Sequence, residues 1–373
     1  METIDSMKRA ILILTLLTLA VIFSNRFSAL KPMTKKHNET SSKINAAIRD
    51  RRASDSQKTI TPPQNETTNV SEGNEEDLGK ELGLHWRQLS REEVDAYLKK
   101  VKRSPEGLLN AFLETCDTNL LAEAFQKYPD NPIVLWTMLS PNSQTPPEER
   151  PQWLEKLKAA SPDNALPNYL SALDNLKAGN VDKALVEMDA ASKKNYNSFD
   201  IERMQSREEM YLLAGLSPVD AKGLGIYSLL LPNLSEMKTL SQEIGTLQQK
   251  YKTAGDSDSA QQLGILAIEA SHKLTEGNNP VLLNQFVGFS MENRALKNLD
   301  ADTYYDFLGK TAGERIQEIK DQKSEISDTL KTFDAKFSGL SDSEKMIYFD
   351  RSRLYGEINA LHWLKRNYAS EAK

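Results

Sequence analysis

Carboxylates and imidazoles are the first groups to weigh in this chain, because together they can move a proton or hold a metal ion. Glu269 and His272 stand three apart in Glu269-Ala270-Ser271-His272, which sets both on one face if the stretch is helical. Carboxylate-bridged di-metal bundles need two such pairs plus two more glutamates. A second copy is missing, since Glu357 and His362 are five apart and diverge on a helix. His37 and His85 are isolated in the sequence, and His272 is read as a structural or surface residue. Paired carboxylates such as Glu208-Glu209 read as a solvated helix face. Gly223-Leu224-Gly225 lacks the third glycine and the preceding strand that dinucleotide binding requires. No phosphate-binding loop, no Gly-x-Ser-x-Gly elbow and no His-Glu-x-x-His pair occurs. Cys116 is the single cysteine, so an intramolecular disulfide is excluded; it is expected to be a small buried apolar side chain. Trp363 and Tyr355 are read as core aromatics rather than a ligand box. No catalytic, cofactor-binding or metal-binding residue is named, and no small-molecule substrate is evident.

Charge and composition narrow the choice further. The 373 residues carry a formal charge of −6, which gives no electrostatic case for nucleic acid. A hydrophobic fraction of 39% beside 27% charged residues fits a soluble body with a core.

That body does not begin at the first residue. Lys8 and Arg9 precede an apolar run from Ala10 to Phe23, broken only by Thr15 and Thr18. This is the layout of a membrane-targeting segment. The stretch after Phe23 offers no small-x-small cleavage site, so residues 1–30 are read as an uncleaved signal anchor. Arg26, Lys31, Lys35 and Lys36 follow the run and argue by charge against export of what comes after. A short basic start before an apolar core argues for it, and export is the reading adopted: a single-pass membrane protein with its body on the outer or periplasmic side. Residues 31–81 are rich in Ser, Thr, Asn and charge and read as a disordered tether. Asn38-Glu39-Thr40, Asn65-Glu66-Thr67 and Asn69-Val70-Ser71 in it match the glycosylation sequon.

From Leu82 onward the apolar residues recur at three and four. Ser90-Arg91-Glu92-Glu93 forms a capping box ahead of Val94, Tyr97, Leu98 and Val101. Ser104-Pro105 opens a second helix, and a third runs from Asn119 to Lys127. Pro129-Asp130-Asn131 then recurs as Pro162-Asp163-Asn164, with Trp136 and Tyr169 at the same offset. A period in the thirties marks stacked helix–turn–helix units. Leu166 to Lys177 and Val181 to Lys193 form the clearest pair, joined by Gly179-Asn180.

Residues 165–198 resemble the tetratricopeptide repeat family, and the unit before them resembles it more loosely. Ala172, Gly179, Ala184 and Ala191 fall on the family's small positions, and Pro162 on its closing proline. Met188, Tyr196, Asn168 and Asn175 depart from the family's residue types, and Pro146, Pro147 and Pro151 interrupt the preceding unit. The resemblance implies antiparallel helix pairs that stack and bind a protein or peptide. It also implies a partner groove on first-helix faces, near Trp136, Asn168, Tyr169 and Lys177.

After Ser198 the period fades but helices continue. Expected helices cover Phe199 to Ala214, Pro218 to Leu231, Asn233 to Lys252, Ser257 to Leu274, Pro280 to Leu296, Ile316 to Phe337 and, as one final helix, Lys345 to Tyr368. The expected fold is therefore all-α with no sheet: a helical-hairpin domain over 82–198 and a C-terminal helical bundle over 199–373. Two function classes follow. One is a membrane-tethered scaffold that binds proteins; the other is a helical enzyme whose acid and base carry no local signature.

Overall fold

The computed structural model describes residues 82–85, 87–140, 143, 145–229, 231–276 and 281–368. The expected anchor and tether lie outside the described residues. No helix among the described residues is long and apolar enough to cross a membrane.

The body is all-α, as its three-and-four spacing requires. Its helices are α1 (Arg91–Lys100), α2 (Pro105–Thr115), α3 (Thr118–Lys127), α4 (Pro132–Met138), α5 (Arg150–Ala160), α6 (Leu166–Lys177), α7 (Val181–Ser192) and α8 (Asp200–Leu213). There follow α9 (Pro218–Tyr227), α10 (Pro232–Thr253), α11 (Ser257–Thr275), α12 (Leu282–Leu296), α13 (Ala312–Lys336), α14 (Asp342–Tyr355) and α15 (Glu357–Tyr368). Capping boxes at Ser90, Thr311 and Ser341 start α1, α13 and α14. In each, a hydroxyl accepts from the third backbone N–H and a glutamate reaches back, satisfying two donors that the helix leaves open.

The recurring asparagine makes the same local turn ahead of a helix each time, and at 131 it is also the N-cap. Asn131 Oδ1 accepts from the N–H groups of Ile133 and Val134, and Asn164 Oδ1 accepts from Leu166 N. Asn197, a further 33 residues on, does the same for Phe199 N. Asn164 also clasps Asn197 directly, donating to its carbonyl at 2.8 Å and accepting from its N–H at 3.1 Å. A backbone bond from Ala165 N to Asn195 O closes the same junction. The third copy lacks Pro-Asp, which hid it from the motif.

Apolar side chains gather in two clusters. The smaller joins α1, α2 and α3 to Val134 of α4, Met210 and Tyr211 of α8, and Ala221 and Leu224 of α9. The larger runs from Leu135 and Tyr169 through Ile244, Leu263 and Phe289 to Phe349 and Leu364. Both clusters draw residues from each side of the 198/199 boundary expected from the sequence. The α8–α9 pair turns back onto α2 and α14, while α6 packs on α10 and α7 on α11. Charged staples hold these junctions: Arg150 with Asp174 and Glu236, Lys158 with Glu187, and Lys222 with Glu208 and Asp350. Where the chain enters the body, Leu82 and Leu84 join the large cluster and Lys345 of α14 donates to the Gly83 carbonyl.

Several expectations are corrected. Tyr304–Tyr305 and Lys310–Thr311 pair as a two-stranded antiparallel ribbon, too short for any period-two signal to show. The final helix is two helices, because Gly356 takes φ 85°, a left-handed-side value that favours glycine. That break shifts the helical phase, so Leu354 and Tyr355 end 66% and 63% exposed instead of entering the core. Trp363 is partly buried, with the Arg351 guanidinium over its ring. Cys116 is exposed, at the left-handed C-cap of α2 with φ 54°.

Candidate functional site

None of the residues singled out first for chemistry assembles a reactive centre. His272 faces Glu292, at 3.3 Å, rather than Glu269, which is exposed. Glu292 is fully buried and gripped by the Arg315 fork at 2.6 and 3.0 Å. Burial pushes its carboxyl up, but hydrogen bonds from His272 and Arg315 outweigh this and hold it below the ordinary value. The bond to Glu292 in turn raises His272 against the opposing effect of burial. This is a structural ion triad between α11, α12 and α13. Glu208 is spent on Arg353 and Lys222, and His362 lies 3.6 Å from exposed Glu325. Among the described residues no set of three or more His, Cys, Asp or Glu could hold a metal ion.

The residues expected to line a partner groove are placed as follows. Trp136 and Tyr169 are core side chains, 2% and 1% exposed. Asn168 is 5% exposed; its amide donates to Glu187 and its carbonyl accepts from Lys194. Lys177 is exposed, two residues beyond Asn175, whose amide returns to the Ser171 carbonyl. A partner lying on these faces meets Lys177 and none of the other three.

A different place gathers polar groups that packing does not need. Asp200, Arg203, Ser206, Arg207 and Tyr211 recur at helical spacing on α8 and face inward. Phe199, at φ 60°, turns the chain so that α8 starts with Asp200 buried. Its carboxyl accepts from Ser198 Oγ at 2.5 Å and lies 3.5 Å from Arg203 Nη1. Burial pushes it up to about 6, with Arg203 and Ser198 opposing. Burial likewise lowers the Arg203 guanidinium, and Asp200 only partly offsets that. One turn on, Arg207 donates to Ser228 Oγ at 2.7 Å and Tyr211 Oη at 2.6 Å, and reaches Glu114 at 3.4 Å. Tyr211 Oη donates to Glu114 at 3.2 Å, and the other Glu114 oxygen accepts from Leu89 N. Arg207 Nη1 is buried with no hydrogen-bond partner among the described residues.

Beside this seam a shallow cleft opens between α2, α4 and α8. Glu106, Leu109, Asn110, Leu113, Ile133, Thr137, Arg203 and Ser206 line it. It is a surface depression with room for about one water-sized group, far below the range of small-molecule pockets. Asn110 is fixed by Tyr97 Oη, and Ser206 Oγ sits 3.4 Å from Asn110 Oδ1. Arg203 is the cleft's cation, its side chain 11% exposed and Asp200 its one acceptor among the described residues. The sequence hid this site because Arg-Glu-Glu within α8 reads as a solvated face. The available signal was the pairing of Asp200, Arg203 and Arg207 at three and four.

No family model, no curated protein and no solved structure matches this chain.

Proposed function

We propose that this chain is a membrane-tethered helical scaffold that binds a protein or peptide partner, with its body on the exported side. The pairs α4–α5, α6–α7 and α8–α9 are taken as tetratricopeptide-like units. The observation carrying this reading is the asparagine at 131, 164 and 197, each bonding the N–H two residues on at the start of a pair. One local device at one spacing is what repeated hairpins use, and stacked hairpins offer clefts and edges to partner chains. Of the residues expected to line the partner groove, Lys177 is exposed and is kept as a partner contact, whereas Trp136, Asn168 and Tyr169 are buried. Binding is favoured over catalysis because no histidine lines the cleft and Glu106 is the one carboxylate that does. The apolar run from Ala10 to Phe23 after Lys8 and Arg9 supports the tether and its export.

Cross-linking of the tagged full-length chain in intact cells tests this, combined with protease added from outside. The reading expects the same few proteins to cross-link to the body in replicate preparations, and the body to be cut by external protease. A body shielded from external protease overturns the topology. Cross-linked proteins that merely follow cellular abundance overturn the scaffold.

A further inference from the structure

The α14–α15 hairpin turns a face of mixed apolar and cationic side chains outward. Ile347, Arg351 and Leu354 stand four and three apart on α14, so they share one side of that helix. Leu354 and the adjoining Tyr355 are 66% and 63% exposed, and Ile347 is 44% exposed. Arg351 links this side to α15. Its guanidinium lies 5.4 Å from the centre of the Trp363 ring, and Trp363 meets Tyr368 edge-on at 5.6 Å. Arg366, three residues past Trp363, is exposed. Neither Arg351 nor Arg366 has a carboxylate partner among the described residues; Asp350, next to Arg351, is turned to Lys222 and Arg353. At the rim Glu344 accepts from Tyr368 Oη. Aliphatic tips, aromatic rings and guanidiniums on one surface suit the boundary between water and lipid. The rings sit at headgroup level, the aliphatic groups lie below them, and the guanidiniums meet phosphate.

We propose that this face rests on the membrane surface, with Ile347, Leu354 and Tyr355 entering the headgroup region and Arg351 and Arg366 meeting lipid phosphates. The place where the chain enters the body favours a bilayer as the occupant. Lys345, near the start of α14, donates to the Gly83 carbonyl at 3.1 Å, and Leu82 and Leu84 are packed in the large cluster. The segment arriving from the apolar run over 10–23 therefore joins the body against the helix that carries the face. Read as a coil, residues 24–81 span on the order of 40 Å, which holds the face over the bilayer at a high effective concentration. A surface contact that is weak on its own then stays occupied. Charge favours this face over the other exposed aromatic pair. Tyr304 and Phe307, on the ribbon and its turn, are flanked by exposed Asp300, Asp302 and Asp306, which anionic headgroups repel. The assignment rests on the scaffold reading only in taking residues 1–30 as the anchor.

The test uses the full-length chain reconstituted in vesicles, carrying Cys116→Ser and a single nitroxide. The label is attached through Tyr355→Cys or, as a control, through Val186→Cys on α7, where Val186 is 69% exposed. Oxygen partitions into lipid and a charged nickel chelate stays in water, so the ratio of their collision rates with the label reports entry into the bilayer. In vesicles of phosphatidylglycerol and phosphatidylcholine the ratio at position 355 is expected to exceed that at 186 severalfold, and in phosphatidylcholine alone to fall toward it. Arg351→Gln and Arg366→Gln should each lower the docked-to-free ratio roughly fivefold. Leu354→Asp, a change at an exposed side chain, should bring position 355 down to the control. Equal ratios at the two positions, or a ratio at 355 that Leu354→Asp leaves unchanged, overturn the proposal. A label at 355 shielded from both colliders and broadened by a second spin assigns the face to another copy of the chain, and overturns it too. The two readings fail separately. Chain that withstands an alkaline wash while its label at 355 stays in water keeps the anchor and loses the docking face; a label in lipid on chain that the wash removes does the reverse.

Discussion

Glu357 offers the sharpest check on how this body spends its stability. It is the first residue of α15, directly after Gly356, and is partly buried. Its Oε2 accepts from Leu282 N at 2.8 Å, which ties the start of α15 to the start of α12. Burial pushes its carboxyl from 4.5 up to about 7, the Leu282 hydrogen bond opposing. Nearby Tyr227 and Tyr348 are raised too, Tyr227 by burial and then the Glu357 charge, Tyr348 by burial, then Tyr227, then Glu357. The folded value lies above the unfolded one, so as pH rises the unfolded chain releases this proton first. Stability from this group is full below 4.5, drains away between 4.5 and about 7, and stays low above that. At ~1.4 kcal/mol per tenfold step, the charged form costs the fold about 3 kcal/mol, a ceiling because the group keeps some solvent. Glu357→Gln keeps an acceptor for Leu282 N–H and carries no charge. Its expected stability equals that of the parent chain near pH 4 and exceeds it by up to about 3 kcal/mol near pH 8. Urea unfolding followed by circular dichroism across that range measures the difference. A difference that does not change with pH, or a variant less stable near pH 8, refutes the reasoning.

Asn164→Ala should cost about 2 kcal/mol, since it strips a helix start and both bonds to Asn197, whereas Asn131→Ala should cost about 1 kcal/mol; thermal melts of the two variants rank them. Arg315→Met should cost about 3 kcal/mol or more, because it leaves Glu292 buried with one weak partner, and equilibrium unfolding reads this. His272 is raised by Glu292, so its contribution is full below the ordinary value of 6.5 and fades as pH climbs through the raised one. His272→Gln should therefore destabilise the chain near pH 6 and match it near pH 9 by the same unfolding assay. Cys116 is exposed, so a maleimide should label it fully without denaturant; labelling that waits for denaturant would contradict the structure.

Helices were legible because each carries its own signal: caps at Ser90, Ser104 and Ser341, Pro105 at a first turn, and a glycine turn at Gly179. These interactions span a few residues, and sequence exposes them. The α8–α9 pair's return onto α2 and α14 depends on contacts about a hundred residues apart, such as Arg207 with Glu114 and Arg353 with Glu208. Charge pairs at that separation leave no spacing to read. The same limit explains the groove residues. Asn168 looked displaced from a packing position, yet Glu187 and Lys194 satisfy both ends of its amide inside the fold. A polar residue on a core face means either a surface or a buried partner, and only tertiary structure separates the two.

That distinction bears on why α8 matters. Its inward face places two guanidiniums, the Asp200 carboxylate and the Tyr211 hydroxyl where leucines would pack. Replacing such groups with apolar side chains is often neutral or stabilising, so burying them is weak evidence of a stability role. The Arg207 set is nearly complete internally: Ser228, Tyr211 and Glu114 answer it, and it fixes how α8 sits on α2. The Arg203 set is not complete. Its single long contact reaches a carboxyl already engaged by Ser198, and it borders the shallow cleft between α2, α4 and α8. Arg207 thus locks α8 against α2 and α9, whereas Arg203 adds a looser tie within α8, through Asp200 at its start.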